Sequence, residues 1–352
     1  MARYQDVVRV SREVKLFRSS PHPFFEANLD FAAPSRFGGI MCMDGSAHHS
    51  LRASLAPAFR PAALQDLAGT LRGLVREFVD RASERGAHDI VPALARPLPT
   101  AAVLTLVGVP RRQWISVAAL MEQAFGVETR DNADRLEATR LLMDWSVGLL
   151  TRPGDEDTAV SHLRRTLSAL AAEDPREAAG HLLALLNAAT GTTRNLLASS
   201  VVEMLARPGI WELLRLAPEN IPAAVEELTR LTTPLLQLTR MVAEETSIAG
   251  VTVPAGDRVV LLYASANRDE TVFESADDFR LGRPVSHLSF GGGGPHVCLG
   301  APLARIELTI LLKELIERFP RPRLLVPADQ LEGLASSTLA GYRQVPVCWT
   351  SP

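Results

Sequence analysis

Cys298 sits between four consecutive glycines and a segment of strong helical pattern, in His287-Leu-Ser-Phe290-Gly-Gly-Gly-Gly-Pro-His296-Val-Cys298-Leu-Gly300-Ala-Pro302-Leu-Ala-Arg305. Glycine backbone reaches φ > 0 without a steric penalty, so loop N–H groups can approach the sulfur. The helix that follows brings the positive end of its dipole to the same atom, which favours thiolate over thiol. A thiolate held in this way is a metal ligand or a nucleophile, and the loop alone leaves both open. Other groupings also carry chemistry. Glu227 and Arg230 stand at i and i+3 of a helical pattern, a pair that on a surface contributes only tenths of a kcal/mol. In Asp44-Gly-Ser-Ala-His48-His49-Ser-Leu-Arg52, His48 and Arg52 share a helix face and can hold one anionic group by charge-assisted hydrogen bonds. Asn187-Ala-Ala-Thr190-Gly191-Thr192-Thr193-Arg-Asn195 sets three hydroxyls inside a long apolar helix, where threonines otherwise back-bond to carbonyls and bend it.

The elements that must position these residues are mostly helices. Periodicity predicts them near 47–59, 62–85, 97–107, 112–125, 131–151, 157–172, 175–206, 210–217, 220–231 and 301–318. In the last, Leu308, Leu311, Leu312, Leu315 and Phe319 fall on one face, with Lys313, Glu314, Glu317 and Arg318 largely opposite. The 175–206 helix is roughly 48 Å long at about 1.5 Å per residue, with Asp174-Pro175 as a start signal and Pro208-Gly209 as a stop. Strand signals cluster in Thr239–Val242, Thr246–Ile248, Val251–Val253 and Val259–Tyr263, and a last strand is expected over Val345–Thr350. No repeat or long linker divides the chain. The expected fold is mainly α with a small β region, as one domain over 1–352.

The bulk properties narrow the function class. The chain has 352 residues, 47% apolar and 22% charged, with a net charge of -3. It is long enough for a large core, and its mild acidity argues against nucleic-acid binding. Its three cysteines, Cys42, Cys298 and Cys348, do not read as a disulfide framework, which favours a reducing, cytoplasmic home. No signal peptide is expected over Met1–Val10, and no apolar run approaches the ~18 residues of a membrane span. The Gly-rich loop lacks the G-x-x-x-x-G-K-[ST] spacing of a phosphate cradle. A cysteine-hydrolase or zinc site would need clustered Cys/His ligands or a distant His/Asn set that the chain does not display.

The Cys298 stretch closely resembles the ligand loop of the cytochrome P450 superfamily, F-G-x-G-x-H-x-C-x-G followed by A-x-x-L-A-R. The resemblance implies that Cys298 is the axial ligand to haem iron, that Gly300 lets the helix backbone lie against the porphyrin, and that His296 reaches a propionate. Phe290 lies eight residues before Cys298 where the family has seven, so one glycine reads as an insertion. Glu227-x-x-Arg230 matches the family's E-x-x-R pair, which meets a second arginine ending D-x-F-x-x-x-R, here Asp277-Asp-Phe279-Arg-Leu-Gly-Arg283. These three are implied to be structural, as is His287. His48 and Arg52 match the D-P-P-x-H-x-x-x-R helix at one haem edge, and Arg240 resembles another propionate-binding arginine at a strand start.

The helix at 187–195 is similar to the family's oxygen-binding segment, A-G-x-[DE]-T-T, with Thr192 as the alcohol that helps deliver protons. Gly191 replaces the acid, and Asn187, Thr190, water or a substrate group is left as an alternative relay. Arg3-Tyr-Gln-Asp-Val-Val resembles a helix that normally lies well inside the family's chain. A short N-terminus with a reduced β region and an exposed strand edge is therefore expected. The resemblance implies a monooxygenase carrying haem b (iron protoporphyrin IX) and acting on a small apolar or natural-product molecule in bacterial secondary metabolism. A carrier-bound substrate is one form of this. Electrons are expected from a ferredoxin or flavodoxin with its reductase, docking around the extra glycine and Arg305. The pocket is expected to be lined by the loop before His48, by Ala188–Thr192 and by Pro234–Leu238, with Ala188, Leu235 and Leu236 as contacts. The alternative is a haem-thiolate protein of non-standard chemistry: peroxide- or nitrogen-oxide-driven, a dehydratase or isomerase, or a sensor.

Overall fold

The computed structural model describes residues 1–24, 39–84, 86–126, 132–152 and 162–349. Its α-helices are α1 (Tyr4–Arg12), α2 (Gly45–Leu55), α3 (Pro61–Glu84), α4 (Pro97–Val107), α5 (Trp114–Phe125), α6 (Asn132–Thr151), α7 (His162–Ala171), α8 (Pro175–Ala206), α9 (Pro208–Leu216), α10 (Ile221–Thr232), α11 (Tyr263–Ala266) and α12 (Ala301–Arg318). Strands are β1 (Phe17–Arg18), β2 (Ala87–Asp89), β3 (Gln237–Val242), β4 (Thr246–Ile248), β5 (Val251–Val253), β6 (Arg258–Leu262), β7 (Arg323–Leu324) and β8 (Pro346–Cys348). The mainly helical expectation therefore holds. No described helix is long and apolar enough to cross a membrane.

Helix α8 is the axle. The Asp174 carboxylate accepts hydrogen bonds from the backbone N–H of Arg176 and Glu177, and Pro175 fits the first turn. Along its 32 residues it packs against α4, α6, α7, α10, α9 and α12. Ala178–Ala184 and Thr193–Ala198 are buried, whereas Asn187 and Ala188 between them are exposed. An exposed window amid such flanks marks a surface that protein side chains do not cover. Helix α12 buries Leu308, Leu311, Leu312, Leu315 and Phe319 as its period requires. Phe319 then packs on the buried Trp349 ring, 4.7 Å between centroids.

Among the described residues the β region is three small antiparallel sheets: β1-β3-β6, β2-β8-β7 and the β4-β5 hairpin. The hairpin turns through Ala249 (φ 50°) and Gly250 (φ 83°), the left-handed pair that matches strand twist. The short strands β1, β2 and β7 were not predicted; unlike the equally short β4 and β5, they contain no β-branched residue. Tyr263 begins α11 instead of ending β6, and β8 is shorter than expected. The strand edge at β6 is not bare. The Met1 ammonium donates to Val260 O at 2.7 Å, and Met1 O accepts from Leu262 N at 3.0 Å. The predicted 157–172 helix is described only over His162–Ala171; its earlier part lies outside the described residues.

Glu227, Arg230 and Arg283 meet as expected. Arg230, 1% exposed, donates Nε and Nη2 to the two Glu227 carboxylate oxygens at 2.8 Å each. Its remaining N–H groups bond the carbonyls of Asn267, Ala276 and Asp278. Arg283 Nε and Arg280 N both donate to Glu227 Oε1, at 2.8 and 2.9 Å. Burial pushes the Glu227 carboxyl up, but these hydrogen bonds outweigh it and hold the pKa below the ordinary 4.5. Its stabilisation is therefore complete above pH 4.5 and is lost as pH falls through the folded-state value. Glu227→Ala is expected to cost about 3–5 kcal/mol, because two cations stay behind without a partner. Melting temperatures from neutral to acid pH should fall less steeply in that variant than in the wild type.

Candidate active site

Phe290 and Cys298 bracket a loop closed by one backbone bond, Cys298 N to Phe290 O at 2.8 Å. The extra glycine leaves that closure intact because the loop bulges elsewhere. Gly291, Gly293 and Gly294 adopt φ of 102°, 95° and 75°. A Cβ on Gly292 would lie 2.6 Å from Ser11 Oγ, and one on Gly293 2.7 Å from Arg12 Nε. The glycines are thus what allows the loop to seat on the end of α1. Behind the loop, Asn267 is fully buried. Its Oδ1 accepts from Leu288 N at 2.6 Å, and its Nδ2 donates to Ser289 Oγ and Thr233 Oγ1 at 2.8 Å. Ser289 Oγ donates in turn to Thr229 O on α10. Neither Asn267 nor Ser289 stood out in the sequence, since a single polar residue after an apolar strand carries no period or spacing.

Cys298 lies three residues before the first residue of α12. The backbone N–H groups of Gly300 and Ala301 donate to its sulfur, and the charges of Arg52 and Arg305 act on it. Burial is the larger influence and pushes the thiol pKa up, so full ionisation needs a bound metal. Yet Cys298 is exposed by surface area. The sulfur is thus surrounded by protein yet fronts a space that no side chain fills. A Cβ on Gly300 would meet nothing within 4 Å, so this side of the helix start is open as well.

The anion-binding candidates gather on two sides. His48 is 1% exposed, and its ring lies 4.1 Å from that of His296, tilted by 33°. Burial first, then the neighbouring His296, Arg52 and His49, push His48 down to about 4 against the pull of Asp44. His296 Nε2 lies 3.2 Å from Ser19 Oγ and 3.5 Å from Asp44 Oδ1. Arg52 donates to Val297 O at 2.6 Å. His49 is exposed and bonds its own helix at Gly45 O, apart from this group. Arg240 lies in the middle of β3, not at its start. It is 4% exposed; Nη1 donates to Thr239 O, while its buried Nε has no partner and no carboxylate pairs with it among the described residues. A buried cation left so is costly. These residues fit an anionic group that approaches Cys298 with carboxylates at its edge.

On α8, Thr192 Oγ1 donates to Ala188 O at 2.8 Å and Thr190 Oγ1 to Leu186 O at 3.0 Å. The back-bonding expected of a threonine run is therefore present. It ties up the Thr192 proton and leaves the oxygen lone pairs free to accept. Gly191 faces Leu339: a Cβ there would lie 3.6 Å from Leu339 Cδ1. Leu339 pairs with Leu235, and Leu236 N donates to Thr338 O, so Pro234–Leu238 and the 336–341 loop are stitched together beside the open window of α8. Much of the loop before His48 lies outside the described residues. No cluster of three or more His, Cys, Asp or Glu side chains suited to a metal occurs among the described residues.

The cytochrome P450 family model matches residues 220–327, from the start of α10 through the Cys298 loop and α12. The chain is also 34% identical over 331 residues to nocardicin C N-oxygenase of Nocardia uniformis subsp. tsuyamanensis, covering 90% of this chain and 80% of that protein. The chain belongs to the cytochrome P450 family. Its fold overlays that of the Bacillus subtilis bacillaene polyketide synthase cytochrome P450 PksS at TM-score 0.88 with 27% identity, over 100% of this chain and 90% of that one. P450BioI, solved with an acyl-carrier protein bearing hexadec-9Z-enoic acid, overlays at TM-score 0.86 with 25% identity, covering 99% and 92%. This cytochrome P450 is accordingly a haem-dependent monooxygenase that works with a redox partner. Arg240→Leu is expected to leave the haem-free protein at least as stable, by removing a buried unpaired charge, while weakening haem retention about tenfold to a hundredfold. Melting of the haem-free protein and competition of the loaded protein against apomyoglobin read the two effects separately.

Proposed function

We propose that this cytochrome P450 hydroxylates or otherwise oxygenates a small apolar natural-product molecule, as one cytoplasmic catalytic domain over 1–352. The supporting observation is the uncovered window at Asn187 and Ala188 on α8, flanked by Leu235, Leu236 and Leu339 and bearing Thr192. Apolar walls with few polar groups select an apolar ligand and orient it weakly. Among the relatives, nocardicin C N-oxygenase and the bacillaene synthase P450 are named for natural products, which supports a role in secondary metabolism. P450BioI was solved on a carrier protein, which supports a carrier-bound substrate as one form.

In this reading the cofactor is haem b. Cys298 would ligate its iron through sulfur, Phe290 and Gly300 would pack against it, and His48, Arg52, His296 and Arg240 would hold its propionates. When bound, thiolate-ligated haem supplies an electron-rich iron for oxygen activation. The chain contributes positions and protons. Gly300 N–H and Ala301 N–H steady the sulfur. Thr192, its own proton held by Ala188 O, accepts a hydrogen bond on the substrate side and steadies the proton path. Exposed Asn187, one turn before, stands in for the acid that Gly191 lacks. A ferredoxin or flavodoxin with its reductase supplies electrons on the side of the Cys298 loop, around the glycine run and Arg305. Gly191 also favours a second reading, non-standard chemistry such as peroxide-driven turnover, which would proceed without donor-coupled oxygen consumption.

Cys298→Ser should abolish the family's red-shifted ferrous–carbonyl Soret band; a retained band would mean the ligand is another residue. Thr192→Ala should keep that band yet lower product formed per oxygen consumed roughly tenfold or more. Unchanged coupling would remove Thr192 from the proton path.

A further inference from the structure

Four side chains close on one another beside the Cys298 loop. Arg305, in the second turn of α12, donates Nε and Nη2 to the two carboxylate oxygens of Glu226 on α10, at 2.6 and 2.8 Å. The Arg305 Cζ also lies 4.5 Å from the centroid of the Phe290 ring. The His287 ring lies 5.4 Å from that of Phe290, and its Nε2 is 3.4 Å from Glu226 Oε2. Because His287 Nδ1 accepts from Ser289 N at 3.2 Å, the hydrogen of the neutral ring belongs on Nε2, aimed at Glu226. Burial pushes the Glu226 carboxyl up, but bonds from Arg305 and His287 outweigh it and hold it down to about 2. Glu226 is thus an anion throughout the working pH range.

Arg305 is one of the two arginines whose charge acts on the Cys298 sulfur. Its charge is matched by Glu226 through a planar two-point contact, the geometry that only arginine makes with a carboxylate. We propose that Glu226 is a positioning residue for the reduction potential of the thiolate centre: it pins the Arg305 guanidinium on the Phe290 ring and offsets its charge, so that Cys298 meets a balanced ion pair instead of a bare cation. The inference rests on Cys298 being the iron ligand. A positive charge beside the thiolate draws electron density from the ligand and favours the reduced iron; a negative charge does the opposite. A merely structural clamp would change stability and leave the potential with no ordered sign.

The test is spectroelectrochemical titration of the haem-loaded full chain, with the ferrous–carbonyl spectrum recorded for every protein. Glu226→Gln leaves Arg305 uncompensated and should raise the potential, with about tenfold more ferrous protein at a fixed poise, ~59 mV for a one-electron couple. Arg305→Gln leaves Glu226 uncompensated and should lower it by a similar factor. The double variant should return close to the wild type, and Arg305→Lys, which keeps the charge, should shift less than Arg305→Gln. Potentials that stay put, or that move in one direction for both single variants, would overturn the proposal. If Glu226→Gln takes up no haem, the sign of Arg305→Gln alone decides, and a rise overturns it. A wild type without the family's carbonyl band would instead sink the ligand assignment beneath it.

Discussion

A carboxylate buried among helices must be answered by the chain itself, and the answer given to Glu227 organises much of what surrounds the cysteine. With side chains only 4% and 1% exposed, Glu227 and Arg230 have no access to water to replace a lost bond. Every N–H of Arg230 is committed, three of them to carbonyls of the 267–278 segment. Asn267, the first of those residues, then holds Leu288 and Ser289 through its side chain. The Cys298 loop is therefore registered against α10 through a relay of buried and part-buried hydrogen bonds. Low surrounding polarity makes such a relay stiff when complete and expensive when broken.

The opposite electrostatic logic governs the edge formed by His48, His296, Arg52 and Arg240. There donors and cations outnumber the one carboxylate beside them, Asp44, which lies 3.5 Å from His296. Arg240 keeps a buried Nε without a partner, and His48 is driven toward neutrality by burial and by its cationic neighbours. Polar groups that are satisfied internally set the frame, and groups left over identify where an external anion belongs. The two populations lie on different elements, so the frame can form without the ligand while the edge remains under strain.

Helices and chemistry were legible in the sequence to different depths. The long helices announced themselves through period and through end signals such as Asp174-Pro175, and their observed limits fall within a few residues of those read from pattern alone. The meeting of Glu227, Arg230 and Arg283 was legible because their order and spacing match a known arrangement. What stayed hidden is contact made across long separations by residues of ordinary type. Glu226 looks like one more surface acid beside Glu227, and only the fold brings Arg305 and His287 to it. Gly292 and Gly293 read as an irregularity in the loop, whereas their reason lies at Ser11 and Arg12, some 280 residues away. The strands β1, β2 and β7 were equally invisible, because their two or three residues include no Val, Ile or Thr, whereas the equally short β4 and β5 do.

That last contact has a temporal side. The end of α1 and the glycine loop that seats on it lie some 280 residues apart in the chain. Closing so long a loop is entropically slow and waits on the elements between. The cysteine pocket should therefore be among the last parts of the molecule to take shape, after the α8 axle and its neighbours have packed. Until then the segment carrying Cys298 has no floor to rest on, and haem capture becomes a closing step of folding instead of a nucleus for it.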